Sequence, residues 1–168
     1  TESEPWQMPD VQDQLSRLKG KQIFGCVDAS SYYHQFHLDR ESRYLTGFVT
    51  EDGVYEYSRV PMGLKNACAH AQRELQMALD EDPILQKFGV RNYFDDIPLA
   101  ADTPDEFIEL LEALFKLGAS QRIKFNLEKS VFGVDSITHC GFVVSAKGVE
   151  IDPMRTQSIR EMEEPKSL

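Results

Sequence analysis

Cysteine is scarce in this chain, three residues in 168, and they stand far apart at Cys26, Cys68 and Cys140. No CxxC pair is present to hold zinc, and an odd, scattered set makes no disulfide framework. A reducing, intracellular setting, cytoplasmic or nuclear, is the expectation. Long apolar runs are missing too. None approaches the ~18 residues that a membrane helix needs, so no membrane partner is expected. The first residues, with Glu2, Glu4 and Trp6, lack the basic stretch followed by an apolar one that marks a secretory signal. Positive charge is in deficit: 18 Lys and Arg face 28 Asp and Glu, a net charge of −10. A stand-alone nucleic-acid binder is expected to be basic. The balance argues against one, while leaving room for an acidic catalytic piece that relies on metal ions or absent neighbours. The remainder is ordinary for a globular domain, 41% hydrophobic and 27% charged.

The chain has no repeat, low-complexity tract or linker. Residues 1–9 read as frayed. Asp10 can cap a helix over 11–19, where Val11, Leu15 and Leu18 recur at helical spacing and Gly20 stops it. Ile23 to Asp28 reads as a short buried strand ending on a carboxylate. Tyr44–Thr50 and Val54–Arg59 alternate as strands around a Glu51-Asp52-Gly53 turn. Lys65 to Asp80 is a strong helix pattern, broken by Asp82 and Pro83. Phe88–Phe94 and Ile97–Ala101 are apolar runs flanking Asp95-Asp96, which places the acidic pair at a hairpin tip. Thr103 or Asp102 caps a second long helix with Pro104 in its first turn, ended by Gly118. A strand over 122–127, a hairpin of 142–145 with 149–151 and a helical turn from Pro153 follow. The order predicts an α+β fold, an antiparallel sheet with helices packed on one face.

The chemistry points to Asp28, Asp95 and Asp96. Buried, uncompensated carboxylates are costly, and a hard divalent cation with oxygen ligands offsets that cost. Two such ions ~4 Å apart can activate an attacking oxygen and stabilise a leaving one. On spacing alone, Asp95-Asp96 could equally be a β-turn and Asp28 a strand end.

Five segments shift that balance. They are Phe24-Gly-Cys-Val-Asp28-Ala-Ser-Ser-Tyr-Tyr33-His-Gln35, Tyr57-Ser-Arg-Val-Pro61-Met-Gly63-Leu-Lys-Asn66 running on to Gln72-Arg73, Tyr93-Phe-Asp95-Asp96, Lys124-Phe-Asn126-Leu-Glu-Lys129-Ser-Val-Phe132, and His139-Cys-Gly141-Phe-Val-Val-Ser145 running on to Asp152-Pro153. In this order they resemble the palm of a reverse transcriptase of the Ty3/gypsy type of LTR retrotransposon, from about Trp6 to Pro165. The resemblance implies a polymerase palm with the C-terminal part of the fingers over 1–168, thumb and RNase H absent. It implies RNA-directed DNA polymerase chemistry with two Mg²⁺ (or Mn²⁺) ions, a primer-template and a deoxynucleoside triphosphate. Asp28, Asp95 and Asp96 would be the catalytic, metal-binding carboxylates.

Tyr33 matches the aromatic position under the incoming sugar, or else is a core tyrosine. Gln72, read as off the helix's core stripe, matches a nucleotide- or template-contacting glutamine, or else is a solvated residue. Gly63 allows close backbone approach to substrate, or is a turn glycine. Lys129 shapes or charges the site, or is a surface lysine. Departures include Tyr32 for a glycine, Met62 for a phenylalanine, Ser130 for a cysteine, and Pro98 inside the strand after the acidic pair. No metal ligand is lost. Activity as an isolated piece is expected to be weak or absent. A domesticated palm that serves as a protein-interaction module, with its own protein partner, stays open as the alternative.

Overall fold

The computed structural model describes Trp6 and residues 8–161; the ends of the chain expected to fray or to carry the last of the resemblance fall largely outside them. Helix α1 (Val11–Leu18) starts at Asp10, whose carboxylate accepts from the Gln12 N–H. Strand β1 (Ile23–Ala29) is the middle of a three-stranded antiparallel sheet, between β4 (Asp96–Ala101) and β5 (Phe125–Val134). Hairpin β2 (Phe48–Thr50) and β3 (Gly53–Tyr55) forms its own two-stranded sheet. The predicted strands were longer. Tyr44 to Thr46 instead close a 3₁₀ turn, where Thr46 Oγ1 donates to Arg43 O and accepts the Tyr57 N–H.

Helices α2 (Ala67–Glu81), α3 (Pro83–Lys87) and α4 (Pro104–Gln121) cover one face of the main sheet. Ala71, Leu75 and Leu79 of α2 and Leu110 and Leu114 of α4 pack there on Val27, Ile97 and Leu99. Asp82-Pro83 does break the pattern, and it also starts α3: the Asp82 carboxylate accepts from the Ile84 and Leu85 N–H groups. Gly118, expected to end α4, lies inside it. A Cβ there would stand 2.4 Å from the Phe125 ring, so the glycine lets β5 approach the helix closely. The stop comes at Arg122, in the left-handed conformation. The other face of the sheet is not bare. Leu15 and Leu18 of α1 pack there with Phe24 and with Ile137 and Val144 of a second antiparallel sheet. That sheet is β6 (Ser136–His139), β7 (Phe142–Ser145) and β8 (Gly148–Ile151), followed by α5 (Pro153–Arg160). No described helix is long and apolar enough to cross a membrane.

Candidate active site

Strand alternation puts Phe24, Cys26 and Asp28 on the sheet face opposite α2 and α4. On β4 the same face takes Asp96 and Pro98, because Ile97, Leu99 and Ala101 point into the helical core. Asp28 and Asp96 are direct cross-strand partners. The Ala29 N–H bonds the Asp95 carbonyl at 2.7 Å, so the alternation makes 28/96 a non-hydrogen-bonded pair. Side chains stand closest in such pairs, with Cβ atoms ~5 Å apart. Asp95 occupies the turn just before β4. The sequence therefore anticipates correctly that Asp28 and the acidic pair meet at one end of the sheet.

The turn itself is unusual. Tyr93 and Asp96 exchange both backbone hydrogen bonds, at 2.8 and 3.1 Å, around Phe94 and Asp95. Phe94 has φ 54°, a conformation that an aromatic residue rarely adopts. Surrounding side chains hold it there. Gln72 Oε1 accepts the Phe94 N–H at 2.8 Å, and Asn92 Nδ2 donates to the Phe94 carbonyl at 3.0 Å. Gln72 Nε2 and Gln14 Nε2 both donate to the Asn92 carbonyl, and the Asn92 N–H donates to Gln76 Oε1.

Gln72 is thus only 1% exposed and faces inward. The expectation that it lies off the core stripe is corrected, and its amide is taken up by the acidic turn rather than presented to an open site. The apolar pattern of residue 72's neighbours gave no sign of this. The segment 88–94 is not a strand either. Beyond the 93/96 bridge, the next hydrogen-bonded rung would join Arg91 to Pro98, and Pro98 has no N–H to give. The incoming arm leaves the ladder, and glutamine and asparagine side chains take over its backbone groups.

Other elements fix Asp28. Between β1 and β5 the register shifts around this residue. Ser130 Oγ accepts the Asp28 N–H at 3.0 Å and donates to Asn126 O at 2.7 Å, patching the bulge. Gln35 closes the loop after β1, with Nε2 donating to Ser30 O and Lys124 O and Oε1 accepting the Lys124 N–H. Lys129 is exposed in the bulge, and no ion pair engages it among the described residues. Tyr33 stands on the 3₁₀ turn Tyr32–Gln35 with its hydroxyl 3.1 Å from Cys68 Sγ. Tyr32 is the buried core tyrosine of the pair; its hydroxyl accepts from Asn92 Nδ2. Gly63 has φ +90°, and a Cβ there would meet nothing within 4 Å, so backbone conformation rather than crowding calls for glycine.

Electrostatics single out Asp96. Burial, then the Asp95 and Asp28 charges, push its carboxyl above the usual range, against a lowering hydrogen bond from Cys26. Among the described residues no Lys, Arg or His pairs with any of the three carboxylates. Neighbouring carboxylates without a counter-charge suit a hard divalent cation, although among the described residues the oxygens of Asp28, Asp95 and Asp96 do not all lie within 4.8 Å of one another.

An antiparallel palm with helices behind it and carboxylates at its end defines the nucleic-acid polymerase class of architecture. Residues 2–144 match the reverse transcriptase (RNA-dependent DNA polymerase) family, and the chain belongs to that family. The family is divalent-metal-dependent in general. Relatives include retrovirus-related Pol polyproteins of Drosophila melanogaster transposons, of the Ty3/gypsy type. That of gypsy is 29% identical over 160 residues, covering 94% of this chain and 15% of the relative. That of opus is 31% identical over 163 residues, covering 96% and 16%. The chain thus spans about one-sixth of these relatives. Among solved structures, a foamy viral protease-reverse transcriptase in complex with double-stranded DNA superposes with a TM-score of 0.89 at 22% identity. That match covers 99% of this chain and 29% of the other. The fold is shared.

Proposed function

We propose that this chain is the catalytic palm of an RNA-directed DNA polymerase, with the C-terminal part of the fingers, working on a primer-template and deoxynucleoside triphosphates. The observation that supports it best is the gathering of Asp28, Asp95 and Asp96 at one end of the sheet without a basic partner among the described residues. Asp28 and Asp95 would hold two Mg²⁺ (or Mn²⁺) ions, with Asp96 beside them. Such ions, when bound, supply activation of the primer 3′-hydroxyl and stabilisation of the leaving pyrophosphate.

The protein's own part is positioning. The Phe94 turn, locked by Gln72 and Asn92, aims Asp95. Ser130 anchors the backbone at Asp28. Tyr33, held at Cys68, presents a ring that leaves no volume for a 2′-hydroxyl under the incoming sugar. Gly63 lets backbone approach the substrate, and Lys129 adds a cation near the bulge. Gln72 acts through the turn rather than on the nucleotide.

Primer extension on an RNA template, with Mg²⁺ and with Mn²⁺, tests the reading. The chain joined to the regions that flank it in its gene should extend a primer, and Asp95→Asn should abolish this. The 168-residue chain alone should extend poorly, since its charge of −10 repels a polyanion and misplacement by ~1 Å costs on the order of a hundredfold. Silence of the longer, correctly folded chain overturns the proposal.

A further inference from the structure

Behind the acidic tip lies a second cluster. Cys26 Sγ, an Asp96 carboxylate oxygen and a His139 ring nitrogen all lie within 4.8 Å of one another. Cys26 shares the sheet face with Asp96, two residues diagonally along the ladder, and His139 ends β6 against that face. His139 is 2% exposed, and neither ring nitrogen has a hydrogen-bond partner. An unpaired imidazole in the interior loses its hydrogen bonds to water and gains none in return. A hydrogen-bonded cluster of these same groups would have used one of its nitrogens. Cys26 hydrogen-bonds Asp96, while the His139 nitrogens stand within 4.8 Å of both yet bond neither, so the imidazole is the donor left over in the cluster. Tetrahedral ligands at ~2.0–2.3 Å from zinc lie ~3.5 Å apart, so small rotamer adjustments close the site.

We propose that Cys26, Asp96 and His139 form a binding site for a borderline-soft divalent transition metal, zinc above all, sharing only Asp96 with the acidic tip. The donor set is one sulfur, one nitrogen and one oxygen. That set favours zinc or cobalt over magnesium, which prefers an all-oxygen octahedron. Three protein ligands leave the fourth position to water. The Tyr93 ring packs edge-on against His139 at 5.9 Å and orients the imidazole. On binding, the Cys26 S–H bond breaks, its proton passes to solvent, and the thiolate electron pair forms the metal–sulfur bond. The site does not depend on the polymerase reading.

Cobalt(II) titration of the metal-stripped 168-residue chain tests it, with far-UV circular dichroism confirming the fold of each variant. The expected result is a near-ultraviolet thiolate-to-cobalt band saturating at one ion per chain. Cys26→Ser should abolish it, and His139→Asn should weaken cobalt affinity by about 100-fold or more. Asp28→Asn should leave it in place, and excess Mg²⁺ should not displace it. Zinc K-edge absorption of the wild-type chain gives a readout free of variants: one sulfur at ~2.3 Å with nitrogen and oxygen neighbours is expected. No band, a band that survives Cys26→Ser, a band lost in Asp28→Asn, or an all-oxygen zinc shell overturns the proposal. Failure of primer extension alters none of these readouts.

Discussion

Asp96 carries its charge at a cost. Its carboxyl is raised by burial first, then by Asp95 and Asp28. The folded chain therefore holds that proton more tightly than the unfolded chain. This contribution to stability is complete at acid pH and is lost as pH climbs through the raised value. With metals chelated at about pH 7, Asp96→Asn should raise Tm, since the amide never takes on the charge that burial and the two neighbouring carboxylates oppose. At about pH 3, below the ordinary aspartate value of ~3.9, the gain should vanish. A lower Tm at neutral pH contradicts this account. Gln72 works in the opposite sense. Gln72→Ala leaves the Phe94 N–H without its partner and takes one of two donors from the Asn92 carbonyl. It should cost ~2–4 kcal/mol in urea unfolding. A loss below ~0.5 kcal/mol would mean that the turn does not need its brace.

Element by element, the periodic signals were the legible ones. Helices α1, α2 and α4 and strand β1 were readable from apolar spacing and caps. Of the two candidate caps, Thr103 is the one that accepts the Glu106 N–H. The misreadings have local physical causes. An apolar run at 88–94 looks like a strand, and nothing within it shows that Pro98 removes the rung it needs. Gly118 looks like a stop signal, and its contact with Phe125 is set by packing seven residues away. The Cys26, Asp96 and His139 trio is invisible because its members are separated by 70 and 43 residues in the sequence. Asp28, Asp95 and Asp96 were legible as candidates, whereas the glutamine, asparagine and serine that hold them were not. Alanine normally stabilises a helix interior over glycine by ~1 kcal/mol. At position 118 the sign should reverse: Gly118→Ala should destabilise by ~1–3 kcal/mol through overpacking, measured by chemical denaturation. A stabilised Gly118→Ala would show that β5 can retreat freely.

At the scale of the whole molecule, the two apolar cores lie on opposite faces of one three-stranded sheet, while the β2–β3 hairpin stands apart from both. Val49 and Val54 on that hairpin are 78% and 77% exposed. The acidic end of the sheet is therefore backed by packed helices but framed by little else among the described residues. A hard cation should bind there weakly without a triphosphate to complete its shell. Binding to the folded state alone stabilises by RT ln(1 + [L]/Kd), or ~1.4 kcal/mol at ten times Kd. Mg²⁺ titration should thus raise Tm gradually, with the shift removed by Asp28→Asn. An Mg²⁺ shift untouched by that substitution would move the ion elsewhere.

The single rung between Tyr93 and Asp96 has a kinetic consequence. A hairpin closed by one bridge cannot nucleate by itself, so the acidic tip waits for α1 and α2 to deliver Gln14 and Gln72 from 78 and 20 residues away. Its geometry should be absent from the folding transition state. Gln72→Ala should then leave the refolding rate nearly unchanged and speed unfolding about thirty-fold for each 2 kcal/mol lost. The tip would be the last part of the molecule to form and the first to come apart.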